Sequence, residues 1–303
     1  IIILILTNTL NTMKQKLQFA MVAMLMISSS LYAKVSKDSI WTTDGNIGVK
    51  FTQVSLTNWA AGGNNAVAFD VQGAYQANLK KGKHIWNSRI ELAYGLNKNK
   101  GEGTQKSNDK IYINTNYGYE LAKHLYFSTL LNFQSQFSPG YDYAVNKDVS
   151  ISEFMAPGYF IVGPGISWIP NKYFNATLSP ISWRGTFVLN DRLSDEGAYG
   201  VTPGDKVLSE WGANLKVEGK YEFLKNMTIY SRADFYSDYT RKPQNIDVNW
   251  EVQLNMSINK WFSTTLTTNL VYDDDVKILQ KDGTKKTCVQ FKEVLGVGVQ
   301  FNF

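Results

Sequence analysis

Few residues in this sequence carry the usual catalytic chemistry. There are two histidines, His84 and His124, and one cysteine, Cys288. A lone cysteine forms no internal disulfide framework and no Cys-rich zinc site. Hydrolysis through an activated serine needs a histidine that a third group orients. Neither histidine has a His-x-Ser spacing, and both read as polar residues of short turns. The run Asp273-Asp274-Asp275 has the oxygen ligands that calcium takes. It lacks the glycine and distal glutamate of a calcium-binding loop and reads first as a solvated segment. The sequence thus predicts no enzyme, no metal and no cofactor.

Charge is where the chemistry lies. Arg89, Glu91, Lys216, Glu218, Lys220, Glu222, Arg232, Asp234 and Glu251 all occupy alternate positions in otherwise uncharged or apolar segments. Asp70, Lys110, Glu120, Asp238, Asp247 and Asp273 share that placement, which makes ten acidic and five basic residues on one set of faces. Lys216-x-Glu218-x-Lys220-x-Glu222 is followed by Arg232-x-Asp234 on the next segment, and opposite signs on neighbouring strands can pair. Such a surface either conducts small ions, with a weak preference for cations, or closes on itself as a salt-bridged plug.

The elements that position these residues are strands. Segments 66–79, 86–96, 110–121, 125–137, 212–223, 227–239, 247–258, 262–273 and 294–303 alternate with a period of two, the strand signature. In each, one face has no charged residue. The alternation persists for about 11–13 residues, which suits a tilted membrane strand rather than a soluble one of about half that length. Three less regular strands fall at 45–57, 157–169 and 173–188; Pro164 and Pro180 interrupt the last two and predict bulges or breaks there. The total is twelve, an even number, as in bacterial barrels. Short and long connections alternate along the chain, which predicts tight turns on the periplasmic side and long loops outside. The fold class is therefore all-β: a transmembrane, antiparallel, up-and-down barrel of outer-membrane type with twelve strands.

Composition agrees. The chain has 303 residues, 44% hydrophobic and 19% charged, with a mean hydropathy of −0.25. That excludes a disordered polyelectrolyte and a helical membrane protein. A net charge of +5, scattered as single lysines, does not point to nucleic acid. Residues 1–33 read as an upstream extension followed by a cleaved signal peptide. Met13-Lys-Gln-Lys-Leu17 is its basic start, Leu17–Ile27 its apolar core, and Leu31-Tyr-Ala33 its small-residue exit. Residues 34–44 would be a short periplasmic segment and 45–303 the barrel.

The C-terminus, Gln300-Phe301-Asn302-Phe303, resembles the signal read by the barrel assembly machinery, with Phe301 and Phe303 as its aromatic pair. Outer-membrane lipid and lipopolysaccharide are the expected surroundings. Lysines in the short turns (Lys80, Lys81, Lys83, Lys123, Lys172, Lys225, Lys260) have no acidic neighbour there and suit anionic headgroups or plain solvent. Tyr141, Tyr143, Phe154 and Tyr199 in the long loops would form a contact surface if the barrel bound a protein partner.

Two stretches, Phe51-Thr-Gln-Val-Ser-Leu-Thr-Asn-Trp-Ala-Ala-Gly-Gly-Asn64 and Ile151–Gly165 continuing to Leu178-Ser-Pro-Ile-Ser182, resemble an outer-membrane family of unknown function, DUF3078. The resemblance runs over roughly residues 40–303. It implies an outer-membrane β-barrel and brings no activity or substrate. Within it, Asn58, Trp59, Gly62 and Gly63 form the family-signature turn, where adjacent glycines allow positive φ.

Overall fold

The computed structural model describes residues 40–54, 66–99, 103–143, 146–276, 278–279 and 284–303. The signal-like segment and the Asn58–Gly63 turn lie outside these residues. Twelve strands close into one antiparallel ring. They are β1 (Trp41–Val54), β2 (Ala66–Lys81), β3 (His84–Asn99), β4 (Thr104–Ala122), β5 (Leu125–Ser135) and β6 (Gly158–Asn171). They continue as β7 (Phe174–Phe187), β8 (Val207–Leu224), β9 (Met227–Asp238), β10 (Ile246–Ser257), β11 (Phe262–Tyr272) and β12 (Gln290–Asn302). Each strand pairs with its neighbours in sequence, and β12 returns to β1 with Ile47 opposite Phe301. Phe303 joins the seam by exchanging backbone bonds with Gly45 at 2.8 and 2.9 Å. Closure removes every free strand edge, which a sheet in hydrocarbon requires.

Strand β1 begins at Trp41, four residues before the boundary read from the sequence. The prolines act as their chemistry dictates. Pairing of β6 with β7 is interrupted between Val162 and Ile166, a gap that spans Pro164 on one strand and Pro180 on the other. Four of the tight turns have two residues, and three of them use a positive φ: Gly82, His124 and Asn226 at 57°, 66° and 68°. Glycine and asparagine take that conformation readily and histidine less so. His124 is therefore a turn residue by backbone geometry.

The side chains are arranged inside out. Large apolar groups such as Phe69, Trp86, Phe127, Trp168, Trp211, Tyr221, Trp250, Leu295 and Phe301 face outward and are exposed. Among the most buried side chains are Lys216, Glu210, Asn214, Ser128, Ser167 and Thr265. Water cannot favour that arrangement, because exposed apolar area and buried charge both oppose folding there. Lipid outside and a hydrogen-bonded lumen inside make it stable. This is an outer-membrane barrel. Glu293 departs from the pattern: it points outward, near the outer end of β12.

Two of the long loops carry structure of their own. The β5–β6 loop holds a hairpin of Gly140–Asp142 and Asn146–Ser152. The β7–β8 loop contains a one-turn helix, α1 (Asp191–Asp195), which the alternation in the sequence did not predict. Asn190 caps it by accepting from Leu193 N. Ala156, Val188, Leu193 and Val201 form a small apolar core that joins the two loops.

Candidate functional site

The lumen is crossed by a rib of ion pairs. Glu91 on β3 lies at its centre. It meets Arg89 at 2.5 Å, Lys110 of β4 at 2.6 Å and Arg232 of β9 at 3.1 Å. Glu251 of β10 meets Lys110 at 2.8 Å and Arg232 at 3.4 Å. β3 and β9 are six strands apart in a ring of twelve, as are β4 and β10, so the Glu91–Arg232 and Lys110–Glu251 bonds join opposite walls. Below the Arg232 guanidinium lies Tyr112, with the charge 3.9 Å from the ring centre, a cation–π contact.

The sequence predicts that the charges of β8 lie beside Arg232 and Asp234 of β9, and the observed register sets Lys216 opposite Asp234 and Glu218 opposite Arg232. The ion pairs expected between β8 and β9 do not form, although Arg232 does pair with Glu251 directly opposite on the neighbouring β10. Arg232 turns to Glu91 and Glu251 rather than to Glu218. Lys216 reaches across to Tyr112 Oη at 2.5 Å and Asn114 Oδ1 at 2.7 Å, with Glu218 at 3.7 Å. Glu218 accepts from Asn175 and Tyr230. Asp234 makes no hydrogen bond or ion pair with another described residue. Lys220 and Glu222 are exposed at the periplasmic end and take no part in the rib. The lumen is narrow enough for Arg232 and Lys110 to bond both along the wall and across it, and sequence spacing holds no measure of that width.

The rib divides the interior. On the side of β4 to β8 the lumen is filled. Ser167 is fully buried and bonds Ser128 and Thr177, each at 2.7 Å, and Asn116 at 3.1 Å. Small hydroxyl residues let these walls approach. On the side of β1–β3 and β10–β12 there is a cavity of about 350 Å³. Its lining runs from Asn46 and Gln300 near the periplasmic rim to Gln136 and Tyr159 near the outer rim. Arg89, Glu91, Lys110, Arg232 and Glu251 present the rib's flank to it. Lys50, Asp70 and Lys292 add charges, of which Lys50 and Lys292 were absent from the sequence reading. Lys50 lies on the less regular strand expected at 45–57, and Lys292 two residues before the expected start of the last strand. A full inward parity count from the observed register would have found both.

A second charged cluster sits at the outer mouth. Arg184 of β7 bonds Glu210 through Nε and Nη2, both at 2.7 Å, and Asp247 at 2.5 Å. Arg241 joins Glu210, Asp238 at 2.8 Å and Asp275 at 2.8 Å. Asp273, beyond the end of β11, is pushed up to about 6, first by burial and then by the Asp247 carboxylate. In the Asp273–Asp275 run, Asp275 is thus tied to Arg241, Asp274 to Lys242 at 2.6 Å, and Asp273 accepts from the Asp275 amide; no acidic or histidine cluster fit for a metal occurs among the described residues.

His84 starts β3 with its Nδ1 2.7 Å from Tyr117 Oη, and His124 lies in the β4–β5 turn. Of the loop aromatics, Tyr143 Oη accepts from Lys106 N and Tyr199 Oη donates to Ile151 O. Tyr141 and Tyr143 stack on each other, while Phe154 is exposed. Three of the four therefore serve the loops' own structure.

Residues 51–141 match the model of the protein family of unknown function DUF3078. The match includes the first of the two resembling stretches and not the second. No curated protein matches the chain in sequence. Solved structures similar to it include an outer membrane channel from Pseudomonas putida F1, 7% identical with a TM-score of 0.41. That likeness covers 89% of this chain and 98% of that one. The NanC porin is 11% identical with a TM-score of 0.37, covering 85% and 99%. The outer membrane phospholipase dimer of Salmonella typhi with bound calcium is 11% identical with a TM-score of 0.34, covering 86% and 90%. No residue role is transferred from these; the fold rests on this chain's own closed ring.

Proposed function

We propose that this outer-membrane barrel is a narrow channel for small polar solutes, with the passage lying beside the rib rather than along the axis. The observation that carries the reading is the polar cavity of about 350 Å³ and the span of its lining from one rim toward the other. Spread over an apolar band of ~25 Å, that volume admits a file of water or a small solute and nothing the size of an oligosaccharide. Asn46, Gln72, Gln253, Asn255, Asn269 and Gln300 line it with groups that can replace a solute's hydration. The reading assigns no catalytic step to any residue. Phe301 and Phe303 then act as the recognition pair of the assembly machinery, Met13–Ala33 as the export signal of a Gram-negative chain, and lipopolysaccharide as the outer surroundings.

One observation favours the other reading, a non-conducting barrel: Glu91, Lys110, Arg232 and Glu251 make direct contacts from wall to wall. Conductance of the refolded barrel in a planar bilayer separates the two. The channel reading expects small steady currents that Thr267→Trp, on the cavity side, suppresses and that Glu218→Gln, on the filled side, leaves nearly intact. Silence from a barrel shown to be folded by heat-modifiable migration would sink it.

A further inference from the structure

We infer that the cavity contains a binding site for small anions, built by Lys50 and Lys292 and suited to solutes bearing one carboxylate or phosphate group. The inference deepens the channel reading and depends on it for the route of access.

Five cations line the cavity: Lys50, Arg89, Lys110, Arg232 and Lys292. Arg89, Lys110 and Arg232 are all bonded to carboxylates of the rib. Lys50 and Lys292 are not. Lys50 is buried, and its Nζ donates to the neutral Gln72 Oε1 at 3.0 Å. Lys292 is accessible, and its Nζ donates to Asn108 Oδ1 at 2.9 Å. No carboxylate of the described residues lies within ion-pair distance of either. The nearest acid in this part of the cavity, Asp70, is engaged by Asn108 Nδ2 at 2.8 Å. Asp109, also on the lining, is held by Lys106 and by the amides of Phe137 and Ser138.

An ammonium has three donors, and removing it from water is unfavourable unless an opposite charge or several acceptors replace the solvent. An amide oxygen supplies one acceptor and no charge. The rib leaves one cation in excess, three against two, and Lys50 and Lys292 against Asp70 leave another. Low-dielectric walls strengthen the field of an excess charge and raise the local concentration of the oppositely charged solute. The backbone is also shaped to hold Lys50 there. A Cβ at residue 296 would collide with the aliphatic stem of Lys50, so Gly296 of β12 provides the track along which the side chain lies. The amides of Gln72 and Asn269 also line the cavity, where they can meet a solute's hydroxyls. The balance reverses the weak cation preference suggested by counting inward charges along the sequence, because only Asp70, Glu91 and Glu251 of the ten acids counted there line the cavity.

The test uses the refolded full barrel. Binding of sodium phosphate and sodium acetate is measured by calorimetry, with choline chloride as the cationic control, and selectivity by the reversal potential under a potassium chloride gradient. The expected results are binding of phosphate or acetate but not choline, and a chloride-preferring current. Lys292→Gln should weaken anion binding by roughly tenfold, the loss of one charged contact, and move the reversal potential toward that of potassium. Lys50→Arg should retain both properties and Lys50→Gln should lose them, while Lys225→Gln in a periplasmic turn should change neither. Lys292 is accessible, so its variant remains informative if Lys50→Gln does not fold. A cation-selective current, or anion binding unaltered in Lys292→Gln, overturns the anion site while leaving the channel standing. Anion binding without current overturns the channel and leaves the site.

Discussion

The two halves of the lumen are made of the same kinds of residue and behave differently. Between β4 and β8, serine, threonine and asparagine side chains bond one another from strand to strand along the wall, and Ser167 alone has three partners. Between β10 and β3, longer glutamines, asparagines and lysines line about 350 Å³ of open space. Polarity is common to both; side-chain length and wall separation are not. Short hydroxyl groups let walls approach until no water fits between them. Long amides facing a wall on the far side of the ring leave room. A lumen thus becomes dry or wet by volume, with the Glu91–Arg232 rib as the partition.

The largest test of that contrast is the partition itself. Glu91→Gln leaves Arg89, Lys110 and Arg232 with one carboxylate fewer among them, and should destabilise the barrel by about 3–5 kcal/mol, the usual effect of orphaning a buried charge. Urea unfolding in lipid vesicles measures it. A loss below 1 kcal/mol would mean water already solvates the rib and that no true partition exists. Next in size is the inside–outside register. Leu254→Arg should cost about 2–4 kcal/mol if that residue faces mid-bilayer lipid. Gln253→Ala, on the cavity side, should have much less effect, and equal losses would refute the register. Smaller again is the difference between the halves. Ser167→Leu should destabilise by about 1–3 kcal/mol through overpacking. Thr267→Leu, with the cavity to expand into, should stay within about 0.5 kcal/mol as a tolerated substitution does. Equal losses would show that the cavity collapses in the membrane.

The smallest expected effect is a slope with pH. Asp273 has its folded pKa raised from 3.8 to about 6, facing Asp247, Asp275 and Arg184. The folded barrel therefore binds this proton more tightly than the unfolded chain does. The stability it contributes is present below pH 4 and is lost as pH rises through about 6. Asp273→Asn should flatten that part of the pH–stability curve while leaving the rib's contribution unchanged.

Much of this architecture was legible beforehand for a simple reason. A strand's side chains alternate, and lipid on one side against a polar lumen on the other writes that alternation into every membrane strand. All twelve strands could be placed, including the irregular pair whose breaks Pro164 and Pro180 announced. The lumen residues Arg89, Glu91, Arg232 and Glu251 were found by the same rule. Their partners were not. Alternation tells which face a residue occupies but not which residues stand across the ring, and Glu91 and Arg232 are 141 positions apart. Helix α1 escaped because one capped turn within a loop has no period to detect.

The sequence by itself determined that this chain is a twelve-stranded outer-membrane barrel with charge turned inward, because periodicity and burial are local and additive along a strand. Only the tertiary structure decided that the charges meet across the lumen, that one half is filled and the other open, and that Lys50 and Lys292 face the open half without a carboxylate. Those are distances between walls, and they exist only once the ring has closed.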